Sequence, residues 1–293
     1  MKQAVLLLAH GAPERVEDIP AYMANVRGGR PTPPAIVSAV ERRYRAIGGG
    51  SPLTARTREQ AEALGRLLPV PVYFGMRNWR PYLKDTLAGM QRDGVEQIVA
   101  LCLAPQYSKA SVGLYFRRVQ EAKQELGFAA EILWTKSFHD HPLLAAAFAE
   151  KLAAVLPSGR VLFTAHSLPE RALERGDPYE AEARATAAAV AGKAGLAEWD
   201  FAFQSQGLTD ERWLGPTVES RIDEYAREGV REMVLAPIGF VCDHVEILYD
   251  VDVLFREYAG ERGIRLSRPA SLNDSPLFAQ ALAEVVKQKL CIE

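Results

Sequence analysis

VLFTAHSLPE at residues 161–170 nearly repeats VLLLAHGAPE at residues 5–14. Each copy is an apolar run that reaches Ala-His and then breaks at a small residue and a proline. An apolar run bounded in that way reads as a strand buried on both faces, as strands of parallel sheets are. His10 and His166 therefore stand where two such strands end. In open α/β sheets, ligands bind outside the carboxyl ends of the strands. A further pair, LCLAP at 101–105 and MVLAP at 233–237, repeats in the same order. The chain reads as two similar halves facing one cleft.

Strand-like runs alternate with helical patterns throughout, the mark of parallel α/β units. Strands are predicted at 4–10, 70–76, 97–104 and 130–135 in the first half, and at 160–166, 199–204, 232–238 and 264–269 in the second. Helical patterns lie between them, as at 56–68, 180–195 and 217–229. The least regular stretch is 10–56, where GGRPTPP (28–34) and GGGSPL (48–53) flank a helical 35–47. It reads as an excursion shaped by a ligand. The glycines at 48–50 do not form a phosphate loop, because the G-x-x-x-x-G-K-[ST] spacing is missing and no strand directly precedes them.

Composition narrows the class. The 293 residues are 48% hydrophobic and 25% charged with a net charge of −2, ordinary for a globular protein and without the basic excess of a nucleic-acid or anionic-membrane binder. No apolar run approaches the roughly 20 residues that span a bilayer. The apolar stretch near the N-terminus is shorter than a signal peptide needs and reads as a first strand. Cys102, Cys242 and Cys291 are widely spaced, which fits a reduced cytoplasm and no cysteine-bound cluster.

The chemistry concentrates in PIGFVCDHVEILYDVDVLF, residues 237–255, after a predicted strand. Glu246 and Asp250 are four apart and would share one helix face. Two carboxylates in line suit a hard divalent cation, and His166 offers a nitrogen ligand or a proton acceptor. Blander readings exist for each. A strand-end histidine is often a hydrogen-bonded structural residue, acids near a helix start favour the dipole, and Asp243 and His244 suit helix capping. Cys242 reads as a small packed residue, and Tyr179 and Tyr249 as cleft or core aromatics. The conjunction of repeated strand ends, a histidine and an acidic row favours a site.

AHSLPE (165–170), GDPY (176–179), FQSQG (203–207), WLGP (213–216) and PIGFVCDHVEILYDVD (237–252) resemble the successive signatures of ferrochelatases. AHGAP (9–13), YRAIGGGSPL (44–53) and LAPQYS (103–108) agree, so the resemblance runs over essentially the whole chain. It implies an α/β fold of two flavodoxin-like halves, each a four-stranded parallel sheet flanked by helices, around a porphyrin cleft. The halves would be 1–138, carrying the porphyrin-binding excursion 10–56, and 139–274, with a C-terminal helix in 275–293 packing back across them. His166 and Glu246 match the residues that bind incoming iron and handle protons, and Asp250 would extend a metal relay. His10, Arg27, Arg43, Tyr44, Ser51 and Tyr115 match positions that hold the macrocycle or its propionates. Arginine suits those carboxylates, since its fork bonds them bidentately. For Arg30 a solvated surface charge is an equal alternative.

The implied activity is insertion of ferrous iron into a porphyrin in haem biosynthesis, by a cytoplasmic monomer without a stable membrane anchor. Iron is then substrate, no cofactor is needed, and no iron–sulfur cluster is expected. Two departures stand out: His10 replaces the tyrosine of many soluble bacterial relatives, and Leu254 stands where the acidic row usually continues. Coproporphyrin III, giving coprohaem, is the expected ring. Glu14, Arg15, Glu17, Asp18, Arg27, Arg30, Glu41, Arg42, Arg43 and Arg45 interrupt the apolar residues of the segment that would otherwise form a greasy lip. The competing readings are a protoporphyrin IX ferrochelatase, a cobalt or nickel chelatase of a sirohydrochlorin-type ring, and a porphyrin or haem carrier without catalysis.

Overall fold

Both histidine motifs end the inner strands of parallel sheets. The computed structural model describes residues 1–156, 159–171, 176–207 and 211–290, so Cys291 and the end of the expected C-terminal segment lie outside the described residues. The first sheet holds β1 (Gln3–Ala9), β2 (Val72–Met76), β3 (Gln97–Cys102) and β4 (Glu131–Thr135) in the order β2-β1-β3-β4. The second holds β5 (Arg160–His166), β6 (Asp200–Gln204), β7 (Glu232–Pro237) and β8 (Arg265–Ser267) in the order β6-β5-β7-β8. Every pairing is parallel, and each strand has its counterpart at the same place in the other sheet.

Helices connect the strands. Between β1 and β2 run α1 (Ile19–Val26), α2 (Pro34–Ala46) and α3 (Leu53–Gly65). Then α4 (Leu83–Arg92), α5 (Val112–Glu125) and α6 (Pro142–Ala153) follow β2, β3 and β4. In the second half α7 (Tyr179–Ala194) and α8 (Val218–Arg227) follow β5 and β6. After β7 come a short α9 (Val245–Leu248), a π-helical stretch over Asp250–Phe255, and α10 (Arg256–Glu261), and α11 (Pro276–Leu290) closes the described chain. Local signals mark the ends: the Thr217 hydroxyl accepts from the Ser220 amide at 3.2 Å to cap α8, and Gly195 ends α7 in the left-handed region.

The inner strands are apolar at successive positions because both faces are covered. In β1, Val5 and Leu7 enter a core shared with the second half, while Leu6 and Leu8 enter a separate core with Ile98 and Val112. In β5, Val161, Phe163 and Ala165 join the shared core, and Leu162 turns to a third core with Ile222 and Met233. Each large side chain so buried contributes about 1.5–3 kcal/mol. Helix α11 packs on α3 and α6 and touches β3 and β4. Among the described residues no helix is long and apolar enough to cross a membrane.

Two glycines let other segments approach the strand ends. A Cβ on Gly11, which follows His10 at φ +82°, would lie 2.7 Å from the Trp79 amide nitrogen. A Cβ on Gly239 would lie 2.9 Å from the Cα of Ala165, beside His166. The segment leaving β7 can thus lie against the end of β5 only because residue 239 has no side chain. Gly239→Ala should cost about 1–3 kcal/mol by overpacking against backbone. Urea unfolding measures it, and an unchanged midpoint would contradict this account of the close approach.

Candidate active site

The strand ends of both halves enclose a cleft of about 280 Å³. From the first half its wall takes His10, Arg77 and Cys102, and Tyr115 from α5. From the second it takes His166, Tyr179 and the strap 239–246, ending in Glu246. The repeat therefore brings His10 and His166 to one cavity.

His166 and Glu246 face each other, with Nε2 and Oε1 3.6 Å apart and side chains 31% and 36% exposed. The His166 Nδ1–H donates to the Ser167 carbonyl at 2.5 Å, which leaves Nε2 directed to Glu246 and the cleft. Burial on its own lowers the basicity of His166, but the charge and hydrogen bond of Glu246, with the Ser167 carbonyl and the charge of Asp250, together outweigh it and the imidazole sits above its ordinary value. Burial likewise favours the neutral Glu246 carboxyl, yet the charge of His166 and its hydrogen bond to the carboxylate bring it down to about 2. Glu246 is thus an anion at neutral pH, and His166 a base poised to gain or lose a proton.

His10 is in the opposite condition. Its Nε2 accepts from the Asn78 amide at 3.0 Å, and the Tyr22 hydroxyl lies 3.1 Å from the same nitrogen. Burial, with the positive charge of Arg77, lowers it to about 3. It is a neutral acceptor held by the Asn78 amide, with the Tyr22 hydroxyl beside it.

The segment that carries Glu246 is anchored at both ends. Arg268 donates to Asp252 through Nε at 2.9 Å and Nη2 at 2.7 Å, and its Nη1 lies 3.6 Å from Asp243. Asp243 also accepts from Ser271 at 2.7 Å and Asn273 at 2.9 Å. Of the two expected caps only His244 serves, its Nδ1 accepting from the Glu246 amide at 3.2 Å. Asp243 is instead taken up by the 268–273 loop. The halves are tied by Gln106 Nε2, which donates to the Ile238 carbonyl at 3.3 Å, and by Gln60 Nε2, which donates to the Val241 carbonyl at 3.2 Å. Asp177 accepts from Ser108 at 3.0 Å and from the Lys109 amide at 2.7 Å, and Tyr179 donates to the His166 carbonyl at 2.9 Å.

One expectation needs correcting. Glu246 and Asp250 do not share the face of a regular helix, because α9 stops at Leu248 and the next turn widens, with the Leu254 amide reaching the Tyr249 carbonyl. Glu246 lines the cleft, whereas Asp250 is buried behind it, accepting from Ser205 Oγ at 2.5 Å and lying 3.6 Å from Arg43. Burial raises Asp250 to about 6 against the opposing hydrogen bond from Ser205.

Of the expected ring-holding residues, His10 and Tyr115 form wall, and Arg27, Arg43, Tyr44 and Ser51 stand outside it. Arg43 is on α2, over the Tyr249 ring. Tyr44 packs with Val16 and Ile19, and Ser51 is buried where its Oγ accepts from the Leu53 amide at 3.3 Å. Arg30 is exposed and donates to the Arg27 carbonyl at 3.1 Å. Arg77, which sequence reasoning passed over, is in the wall. Its position just past β2 was the available signal, since that strand end opens on the same side as His10.

A family model described as ferrochelatase matches residues 2–290. A ferrochelatase of Acidobacterium capsulatum is 47% identical over 99% of this chain and 95% of its own. A coproporphyrin III ferrochelatase of Geobacillus kaustophilus is 36% identical over 97% of this chain and 95% of its own. Among solved structures, the sirohydrochlorin chelatase SirB of Bacillus subtilis, in complex with cobalt, superposes with a TM-score of 0.64 at 12% identity, covering 99% of this chain and 95% of that one.

The coupling of His166 to Glu246 is open to titration. His166 is raised above the ordinary histidine value, so its pairing stabilises the fold at pH below that value and fades as pH climbs through the raised one. Glu246→Gln removes the charge responsible and leaves burial to act. Nuclear magnetic resonance of the ring protons should show His166 titrating at lower pH in the variant. An unchanged titration would contradict the pairing.

Proposed function

The chain belongs to the ferrochelatase family and is a metal-insertion enzyme, and from that premise we propose that it places ferrous iron in coproporphyrin III, with His166 and Glu246 exchanging the metal for pyrrole protons. Metallation removes two N–H protons from the ring and adds a dication, so overall charge on the ring is kept. In its unprotonated form His166 accepts a proton at Nε2 without adding negative charge to the cleft. Glu246, held ionised, draws the dication to the same point. Ligand identity does not choose among divalent metals, since affinity order and supply act as strongly as geometry.

The observation that carries the ring assignment is a set of buried polar atoms without hydrogen-bond partners in the protein. Arg27 Nε, Tyr44 OH and Asp250 Oδ1 are among them. Buried donors and acceptors are nearly always satisfied, and these three, two in the excursion 10–56 and one behind Glu246, are read as places where a polar ligand belongs. Arg27 and Tyr44 suit propionate oxygens, and Asp250 suits passage of the dication beside Ser205. Across residues 10–56 Val26 is the sole large apolar side chain left exposed, which supports a charged mouth over a greasy lip. Coproporphyrin, with four propionates, fits such a mouth better than protoporphyrin with two. The name of the Geobacillus relative points the same way.

A hydrogen bond to a charged group is worth about 1.5–3 kcal/mol, so the propionate count should show as roughly a 10- to 100-fold difference in kcat/KM. Steady-state insertion of ferrous iron should favour coproporphyrin III over protoporphyrin IX, and Arg27→Ala should shrink that preference. A higher kcat/KM for protoporphyrin IX would overturn the assignment. Turnover itself excludes a carrier, which would quench porphyrin fluorescence one-to-one and stop.

Distance from the cleft grades the acids. Glu246→Gln should reduce kcat at least about 100-fold, as loss of a positioned acid–base or metal-drawing group does. Asp250→Asn should act mainly on the KM for iron, with a smaller effect on kcat. Equal loss of kcat in both, at unchanged thermal stability, would place the two carboxylates in one functional unit and contradict the graded path.

A further inference from the structure

Arg77 is the one Arg or Lys among the described residues lining the cleft. It sits immediately past β2, held by its backbone N–H donating to the Ala9 carbonyl at 3.0 Å. Its guanidinium lies over the Tyr115 ring, 4.7 Å from the centroid, and no carboxylate among the described residues pairs with it. Two arginines of the excursion have other company: Arg43 faces Asp250 and Arg30 bonds the Arg27 carbonyl. Arg77 is half-buried in this wall, and the aromatic face beneath it supplies no acceptor for its N–H fork, which stays open to the cleft.

We propose that Arg77 binds a carboxylate of the tetrapyrrole inside the cleft, receiving a propionate that the mouth residues do not hold. The inference rests on the reading of the cleft as a porphyrin site and names a group that counts the ring's carboxylates. In protoporphyrin the propionates sit side by side on one edge of the ring, so one edge can satisfy only one cluster of cations. The opposite edge then bears vinyls, which give Arg77 nothing to bond. In coproporphyrin all four pyrroles carry a propionate, and whichever edge enters the cleft brings a carboxylate to the wall. A planar fork bonds it with two parallel N–H donors, which a lysine at this position would not reproduce. The positive charge of Arg77 is also felt by the groups around it, since it depresses His10 and opposes the burial that raises Cys102. A bound carboxylate would neutralise that field.

Fluorescence titration of the whole protein with metal-free coproporphyrin III and with protoporphyrin IX tests this without iron or turnover. Arg77→Gln should weaken coproporphyrin III binding by roughly 10- to 100-fold and protoporphyrin IX binding by less than about threefold, while Arg77→Lys recovers part of the loss. Circular dichroism and thermal melting identify a folding defect, and the lysine variant keeps the charge and stem if glutamine is not tolerated. Equal weakening for both rings, or none for either, would overturn the carboxylate role. The kinetic preference of the unaltered enzyme judges the ring assignment separately. An enzyme that prefers coproporphyrin III while Arg77→Gln binds both rings as before would retain the proposed function and lose this inference.

Discussion

An ionised carboxylate inside a cleft persists only if cations and donors face it, and the arrangement around Glu246 reflects that requirement. His166 supplies the partner 3.6 Å away, by its charge and by a hydrogen bond to the carboxylate. The backbone beneath is fixed as firmly as the charge. Gln204 Nε2 donates to the Glu246 carbonyl at 3.2 Å and its Oε1 accepts from Thr164 at 2.6 Å, so the ends of β5 and β6 both hold the acid. Arg268 grips the residues on either side of it. The parallel sheet is what makes this economical, because neighbouring strands end together and deliver their last side chains to one place.

The two halves have put the same strand end to different uses. His10 and His166 occupy equivalent positions, yet their surroundings drive them apart. His10 gives its Nε2 lone pair to the Asn78 amide, beside the Tyr22 hydroxyl, and is held neutral far below neutral pH. His166 instead ties down Nδ1 against a carbonyl and leaves Nε2 beside a carboxylate that raises it. Groups whose environments push their proton affinities apart are the usual basis for dividing acid and base work within one site. Here the division lies across a pseudo-symmetric cleft, with one wall poised to exchange protons and the other fixed.

Much of this was legible in the chain. The repeat of VLFTAHSLPE and VLLLAHGAPE carried the sheet architecture, because burial on both faces leaves apolar residues at nearly successive positions and ends them sharply. Strand edges moved only slightly. β8 forms over Arg265–Ser267, shorter than expected, since Arg268 leaves the ladder to bond Asp252. The features that stayed hidden depended on packing. Nothing in the spacing of Glu246 and Asp250 announces a π turn, which reflects the burial of Val251 and Phe255 rather than local preference. Tyr44 and Ser51 fall in an excursion whose helices have no repeat to place them, and both turn inward there. Arg77 was missed although the rule applied to β1 held equally for β2: residues just past a strand's carboxyl end face the ligand.

The central claim is that the His166 imidazole takes a pyrrole proton as the metal enters. Single-turnover insertion of ferrous iron into coproporphyrin III by His166→Gly, with and without added imidazole, tests it most directly. The account predicts a rate at least about 100-fold below the unaltered enzyme, rising with imidazole and tracking the neutral fraction of that base as pH is varied. A folded His166→Gly protein that metallates at the normal rate, or one that stays slow at every imidazole concentration while still binding the porphyrin, would contradict it.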